Sequence, residues 1–203
     1  MNTSIKSSTI FLILLLQLEI KAHNYNTPVS AYRHLHEVNK RWSNHINDVP
    51  KYNIVFLSDI DHIQYHLLNV ENILRKDSPK GISAEILKNR LLLLDELHNY
   101  ALNKIFPTNL YHSYRQPYFI DDYGVYCAVG YLISVSGHDE LARQIRNQNN
   151  YDYIQNIKNE LLQSWVRKYG FSVDELAWIQ PTYAPTTIFE PLQYGTTGPV
   201  DLL

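Results

Sequence analysis

Residues 118–137, Tyr-Phe-Ile-Asp-Asp-Tyr-Gly-Val-Tyr-Cys-Ala-Val-Gly-Tyr-Leu-Ile-Ser-Val-Ser-Gly, decide how this chain is read. Tyr118–Ile120 is a short aromatic and β-branched run. Asp121-Asp122-Tyr123-Gly124 then supplies turn formers and a residue tolerant of positive φ, which suits a small β-hairpin. Ala128–Val135 is apolar on nearly every side and reads as a buried helix, with Gly137 as its C′ residue. Small residues, Ala128 and Gly130, let another backbone approach closely. The only cysteine, Cys127, sits where hairpin meets helix.

Outward from this stretch the periodicity is helical. Ala31, Leu35, Val38 and Trp42 share a stripe, predicting a first helix from Val29 to about Ile46. Ile63, Leu67, Val70 and Leu74 predict a second, opening at Ser58 or Asp59 and ending near Lys76. Ile86, Leu87, Leu91, Leu94, Leu97, Ala101 and Ile105 predict a central third, closed by Pro107. A short helix over 139–148 follows, then a longer one from Asn150 to Gly170. Ser172-Val-Asp-Glu175 is a capping box that starts a last short helix, stopped by Pro181. The expected fold is mainly α: one helical domain, residues 23–183, with a small β-hairpin preceding the Cys127 helix.

The two ends differ from this domain. Ile10–Leu16 is an uninterrupted apolar run after a polar stretch carrying Lys6, and Ala22 precedes polar residues. That is the pattern of a secretory signal peptide over residues 1–22. The run is too short for a membrane span, which needs roughly 20 apolar residues, so no stable span is expected after cleavage. From Ala184 to Leu203 the composition turns to Pro, Thr and Gly, and an extended or disordered tail is expected. The expected location is secreted or periplasmic.

Composition excludes several classes. Eighteen basic and 20 acidic residues are interspersed, with no basic stripe for nucleic acid. Without Lys6, Glu19 and Lys21 the chain keeps 16 basic and 19 acidic residues. One cysteine cannot form an internal disulfide, so the core must hold the domain. There is no Gly-rich phosphate loop and no Gly-x-Ser-x-Gly elbow, and no cofactor is implied.

Three residue groups could carry function. At a helix N-terminus the Cys127 sulfur would feel unpaired N–H groups that favour thiolate. His112 or His138 could serve as its base, and Asp121 or Asp122 could orient that base. Cys127, His112 and Asp122 are the catalytic set this implies for a cysteine-dependent hydrolase or transferase. The simpler reading of a cysteine in an apolar run is a small core residue, and a lone cysteine can also pair with another molecule. The second group is His62-Ile-Gln-Tyr-His66, whose histidines at i and i+4 could share a metal. It lacks the glutamate of H-E-x-x-H, and no metal is assigned. Tyr111, Tyr114, Tyr118, Tyr123, Tyr126 and Tyr131 are the third. Tyrosine gives rigid contact area with a polar tip, which suits a binding or structural module for a protein, peptide or glycan ligand.

Several motifs run in order: Phe106-Pro107-x-Asn109, Pro117-Tyr-Phe-Ile-Asp121-x-x-Gly124, Cys127-Ala-Val-Gly-Tyr-Leu-Ile133 with Ser136-Gly137, Trp165, Gly170-Phe-Ser-x-x-Glu-Leu-Ala177, and Ile179-Gln-Pro-x-Tyr183. In these the segment from about Leu97 to Tyr183 resembles a family of uncharacterised secreted bacterial proteins. The resemblance implies export and a bacterial setting. It implies no activity, cofactor or site residue, and it does not extend to residues 23–96.

Overall fold

The computed structural model describes residues 28–186. The export segment expected at 1–22 and most of the expected tail lie outside them. The architecture is mainly helical, as the periodicity predicts. In chain order the elements are β1 (Val29–Ser30), α1 (Ala31–Val38), a 3-10 segment (Lys40–Asp48), β2 (Asn53–Ile54), α2 (Asp59–Lys76) and α3 (Ala84–Asn103). After a long loop come α4 (Ala128–Val135), α5 (Asp139–Asn149), a 3-10 turn (Ile154–Asn156), α6 (Glu160–Tyr169) and α7 (Val173–Ile179). β1 and β2 pair antiparallel, Val29 opposite Ile54 and Ser30 opposite Asn53. No helix of the described residues is long and apolar enough to cross a membrane.

Side-chain caps set most of the helix starts. Ser30, Ser58, Ser83 and Asn159 each accept a backbone N–H in the first turn of α1, α2, α3 and α6, relieving donors that a helix N-terminus leaves orphaned. The capping box at Ser172 and Glu175 forms at α7.

Two helices are shorter than their periodicity predicts, and both are cut by tertiary hydrogen bonds. Asn39 interrupts the first. Its Oδ1 accepts from Arg41 N–H, and its Nδ2 donates to the carbonyls of Ala177, Trp178 and Gln180. It thereby satisfies carbonyls that the end of α7 cannot pair within the helix, at the cost of extended backbone at φ −148°. The helix expected from Asn150 begins only at Glu160. Residues 150–157 are held out of it because Asn150 O accepts from Phe119 N–H, Asn150 Oδ1 from Ile120 N–H, and Ile154 N–H donates to Gln180 Oε1.

One continuous apolar core runs through the helices. α4, apolar all round, sits in it with Ala128, Val129, Gly130, Leu132 and Ile133 buried. Gly130 has a packing reason: a Cβ there would lie 3.1 Å from Phe119 O and 3.2 Å from the Phe119 ring. Arg90 is fully buried on α3, where Nη1 donates to Gly170 O and Nη2 to Leu74 O. Its guanidinium also grips both oxygens of Glu175 and lies over the Phe171 ring. This fixes the start of α7 to α3.

The expected hairpin is reduced to one antiparallel bridge, Ile120 with Tyr126. Asp121 explains why. It is buried, and its Oδ1 accepts from the Tyr123 and Val125 N–H groups while Oδ2 accepts from Thr108 N–H. Backbone donors that a ladder would use are taken by this carboxylate. Chain order persists past Tyr183, where the tail was expected to begin: Ala184 N–H donates to Asp59 Oδ2 and Thr186 N–H to Asn109 O.

Candidate functional site

The stretch 118–127 runs between a dry interior and an open face. Cys127 lies on the inner side. It is the N-cap of α4, 0% exposed, and its Sγ accepts from Gly130 N–H at 3.3 Å. Burial pushes the thiol up to about 12 despite that N–H bond. The helix N-terminus was expected to favour thiolate, but desolvation of a fully buried charge outweighs it.

The partners expected of a nucleophile are engaged elsewhere. His112 Nδ1 lies 2.8 Å from Tyr118 Oη. Asp122 accepts from Tyr111 O–H and faces Arg146 at 3.9 Å. His138 Nδ1 lies 2.9 Å from Ser136 O. Cys127, His112 and Asp122 therefore form no nucleophile–base–orienter chain. Position within the fold explains the difference: Cys127 points into the core, whereas His112 and Asp122 belong to the surface network around Tyr118.

That network has an ordered centre. The single Tyr118 hydroxyl proton goes to Asn109 Oδ1 at 2.9 Å. Asn109 is oriented unambiguously, because its Nδ2 donates to the carbonyls of Tyr114 and Tyr183 and its Oδ1 also accepts from His112 N–H. Tyr118 Oη accepts from Tyr111 N–H. With its proton committed, it must also accept from His112 Nδ1–H. The His112 tautomer follows, leaving Nε2 as the acceptor nitrogen of neutral His112.

Aromatic rings surround this centre. His112 meets Tyr114, Tyr118 and Tyr151 edge-on, with centroids 5.6, 5.6 and 4.8 Å apart. Tyr118 and Tyr151 meet edge-on at 4.8 Å. Tyr111 and Tyr114 are 62% and 60% exposed, and Tyr123 and Tyr153 are also exposed. Asp122 raises the pKa of the Tyr111 hydroxyl by accepting its proton in a hydrogen bond. Rings held by hydrogen bonds and edge contacts lose little freedom on binding. Tyr126 and Tyr131 leave the group: Tyr126 O–H donates to Asp139, and Tyr131 O–H donates to Glu96.

Tyr151, Tyr153, Asn109 and Arg146 belong to this face, and sequence reasoning missed them. Tyr151 and Tyr153 lie in a stretch with helical periodicity. Only the Asn150 hydrogen bonds, which turn it into a loop, bring Tyr151 beside His112.

The two histidines of His62-Ile-Gln-Tyr-His66 do not converge. His62 Nε2 lies 3.0 Å from His34 Nδ1. His66 Nδ1 accepts from Trp42 Nε1–H at 2.9 Å, and its Nε2 faces Ile179 O at 3.4 Å. Burial lowers the His66 pKa to about 3, so this ring is a neutral core residue. No group of three metal-ligating side chains suited to a metal exists among the described residues.

Fold and site together define a mainly helical domain carrying a tyrosine–histidine surface cluster on two loops. No protein-family model matches the chain, and no curated protein or solved structure matches it either.

Proposed function

We propose that this chain is an exported binding module that recognises a protein, peptide or glycan through the Tyr111–Tyr114–His112–Tyr151 face. The observation that carries this is the hydrogen-bonded centre at Tyr118, which holds exposed rings from two loops in fixed positions. Rigid, amphipathic aromatic groups are the residue types that dominate recognition surfaces. The acceptors beside them, His112 Nε2 and the Asp122 carboxylate, suit a ligand that presents hydroxyl or amide donors. Export rests on the signal-peptide pattern over residues 1–22, and the bacterial setting on the motif resemblance. The buried, unactivated Cys127 favours binding over cysteine chemistry.

The test is a screen of the purified chain on glycan and peptide arrays, beside the double variant Tyr111→Ala/Tyr114→Ala. Selective binding that weakens at least about tenfold in a correctly folded double variant is the expected result. Equal binding by both proteins, or none by either, would refute the assignment. Mass spectrometry of the N-terminus after expression in a bacterial host tests export, with cleavage near Ala22 expected.

A further inference from the structure

At the start of α2 lies a chain of buried groups whose protons can be counted. His34 Nε2 on α1 is 3.2 Å from Ile54 O. A carbonyl only accepts, so Nε2 carries hydrogen. His34 Nδ1 and His62 Nε2 share one proton across 3.0 Å. With both rings neutral that proton belongs to His62, because His34 already holds its own on Nε2. His62 Nδ1 is then a lone pair. It is fully buried, has no hydrogen-bond partner among the described residues, and lies 3.8 Å from Asp59 Oδ1. One additional proton changes this whichever ring holds the charge. If His62 is the imidazolium, both its nitrogens carry hydrogen. If His34 is, His62 Nε2 accepts and the His62 proton must sit on Nδ1. Either way an N–H replaces the lone pair facing Asp59.

Several neighbouring groups bear on that proton. Phe56 packs on both rings, with centroids 4.7 and 5.1 Å away. His66, one turn along α2, accepts from Trp42 Nε1–H and is kept neutral by burial. Asp59 is the anion, and Arg115 is the competing cation. Arg115 donates to both Asp59 oxygens and to Thr182 O and Oγ1. Ala184 N–H also donates to Asp59. Asp59 thus ties two things to α2: the segment 182–184, and the loop that carries Tyr111, His112 and Tyr114.

We propose that the His34–His62 pair is a proton-operated switch on this tie. Proton uptake directs a new N–H at Asp59 Oδ1, where Arg115 Nη1 already donates. Two cations then compete for one carboxylate, and Arg115 loosens its hold on the loop. The tyrosine face is therefore looser at acid pH than at neutral pH. Only this last step rests on the binding role proposed above.

The test is an NMR titration of the full chain from about pH 8 to 5, the range in which histidine changes charge. It follows the His34 and His62 ring nitrogens together with amide exchange over residues 108–116. The expected result is protonation of the pair and, at the same midpoint, exchange accelerated at least about threefold beyond its intrinsic pH dependence. In His62→Gln, whose amide can still donate to His34, the loop response disappears. If a variant fails to fold, the wild-type titration still decides. Rings that do not titrate in this range, or that titrate with an unchanged loop, would overturn the proposal. No ligand is involved. A failed array screen would sink the binding role and leave the switch, and a silent titration would do the reverse.

Discussion

Cys127 and His112 are fifteen positions apart and chemically opposite. Cys127 looks like the reactive residue and is dry, fully buried and raised to about 12. His112 is half-buried, with Nδ1 donating to Tyr118 and Nε2 left to accept. The backbone between them is tied on both sides, by Cys127 N–H to Phe119 O and by Phe119 N–H to Asn150 O. Solvent access, more than residue type, decides which of the two can act on another molecule. A helix N-terminus favours a thiolate only where the sulfur keeps some contact with water or a charge.

The comparison breaks first on the buried side. Phe119→Ala removes the ring that fills the space over Gly130, and a loss of about 3–5 kcal/mol is expected in denaturant unfolding. A loss under about 1 kcal/mol would mean that the interior is not tightly packed around Gly130. Thiol labelling sharpens the same point. At pH 8 a small reagent should modify Cys127 only as fast as the protein opens, so its rate should follow global unfolding. Rapid labelling of the native state would restore the nucleophile.

Acid sensitivity belongs to the interior as well. The unfolded chain protonates His66 below its ordinary value of 6.5, whereas the folded chain does so only near 3. Stability is fully present above 6.5 and is lost progressively as pH falls from there toward about 3. The loss attributable to His66 should reach about 2 kcal/mol at pH 5. His66→Gln keeps an acceptor and a donor, and should flatten that part of the stability profile. Asp59 shows the same sign at lower pH. The Arg115 guanidinium and the hydrogen bonds from Arg115 and Ala184 outweigh burial and hold its carboxyl down at about 2. Its stabilisation is present above the usual carboxylate range and disappears as pH falls through about 2.

Effects on the open face should be smaller. Tyr118→Phe leaves Asn109 and His112 without their shared hydroxyl, at an expected cost of about 1–3 kcal/mol. Tyr114→Ala should change stability by no more than about 0.5 kcal/mol. The reverse ranking, with Tyr114 costing more than Phe119, would erase the distinction between the two regions.

Most of the helical frame was legible because local physics writes it into the chain. Ser58, Ser83 and Ser172 stand where side-chain caps must stand, and apolar residues recur at helical spacing through α2 and α3. The capping box at Ser172–Glu175 needs only four residues, so four residues suffice to predict it. The tyrosines of residues 111–123 were visible as a cluster for the same reason of proximity.

Asn39, Asn150 and Asp121 mark the limit of that legibility. Each bonds to groups distant in sequence or takes donors a ladder would use, and each overrules a local pattern: one splits a helix, one delays a helix, one reduces a hairpin to a single bridge. Tertiary structure alone placed Tyr151 beside His112, turned His62 toward His34 and away from His66, and closed the interior over Cys127. The sequence by itself determined where helices begin and which faces are apolar, because capping and periodicity act within a few residues. Which polar side chains meet, and which lose contact with water, depends on hydrogen bonds and burial across the fold. Those two terms decide whether a histidine or a cysteine is available for chemistry.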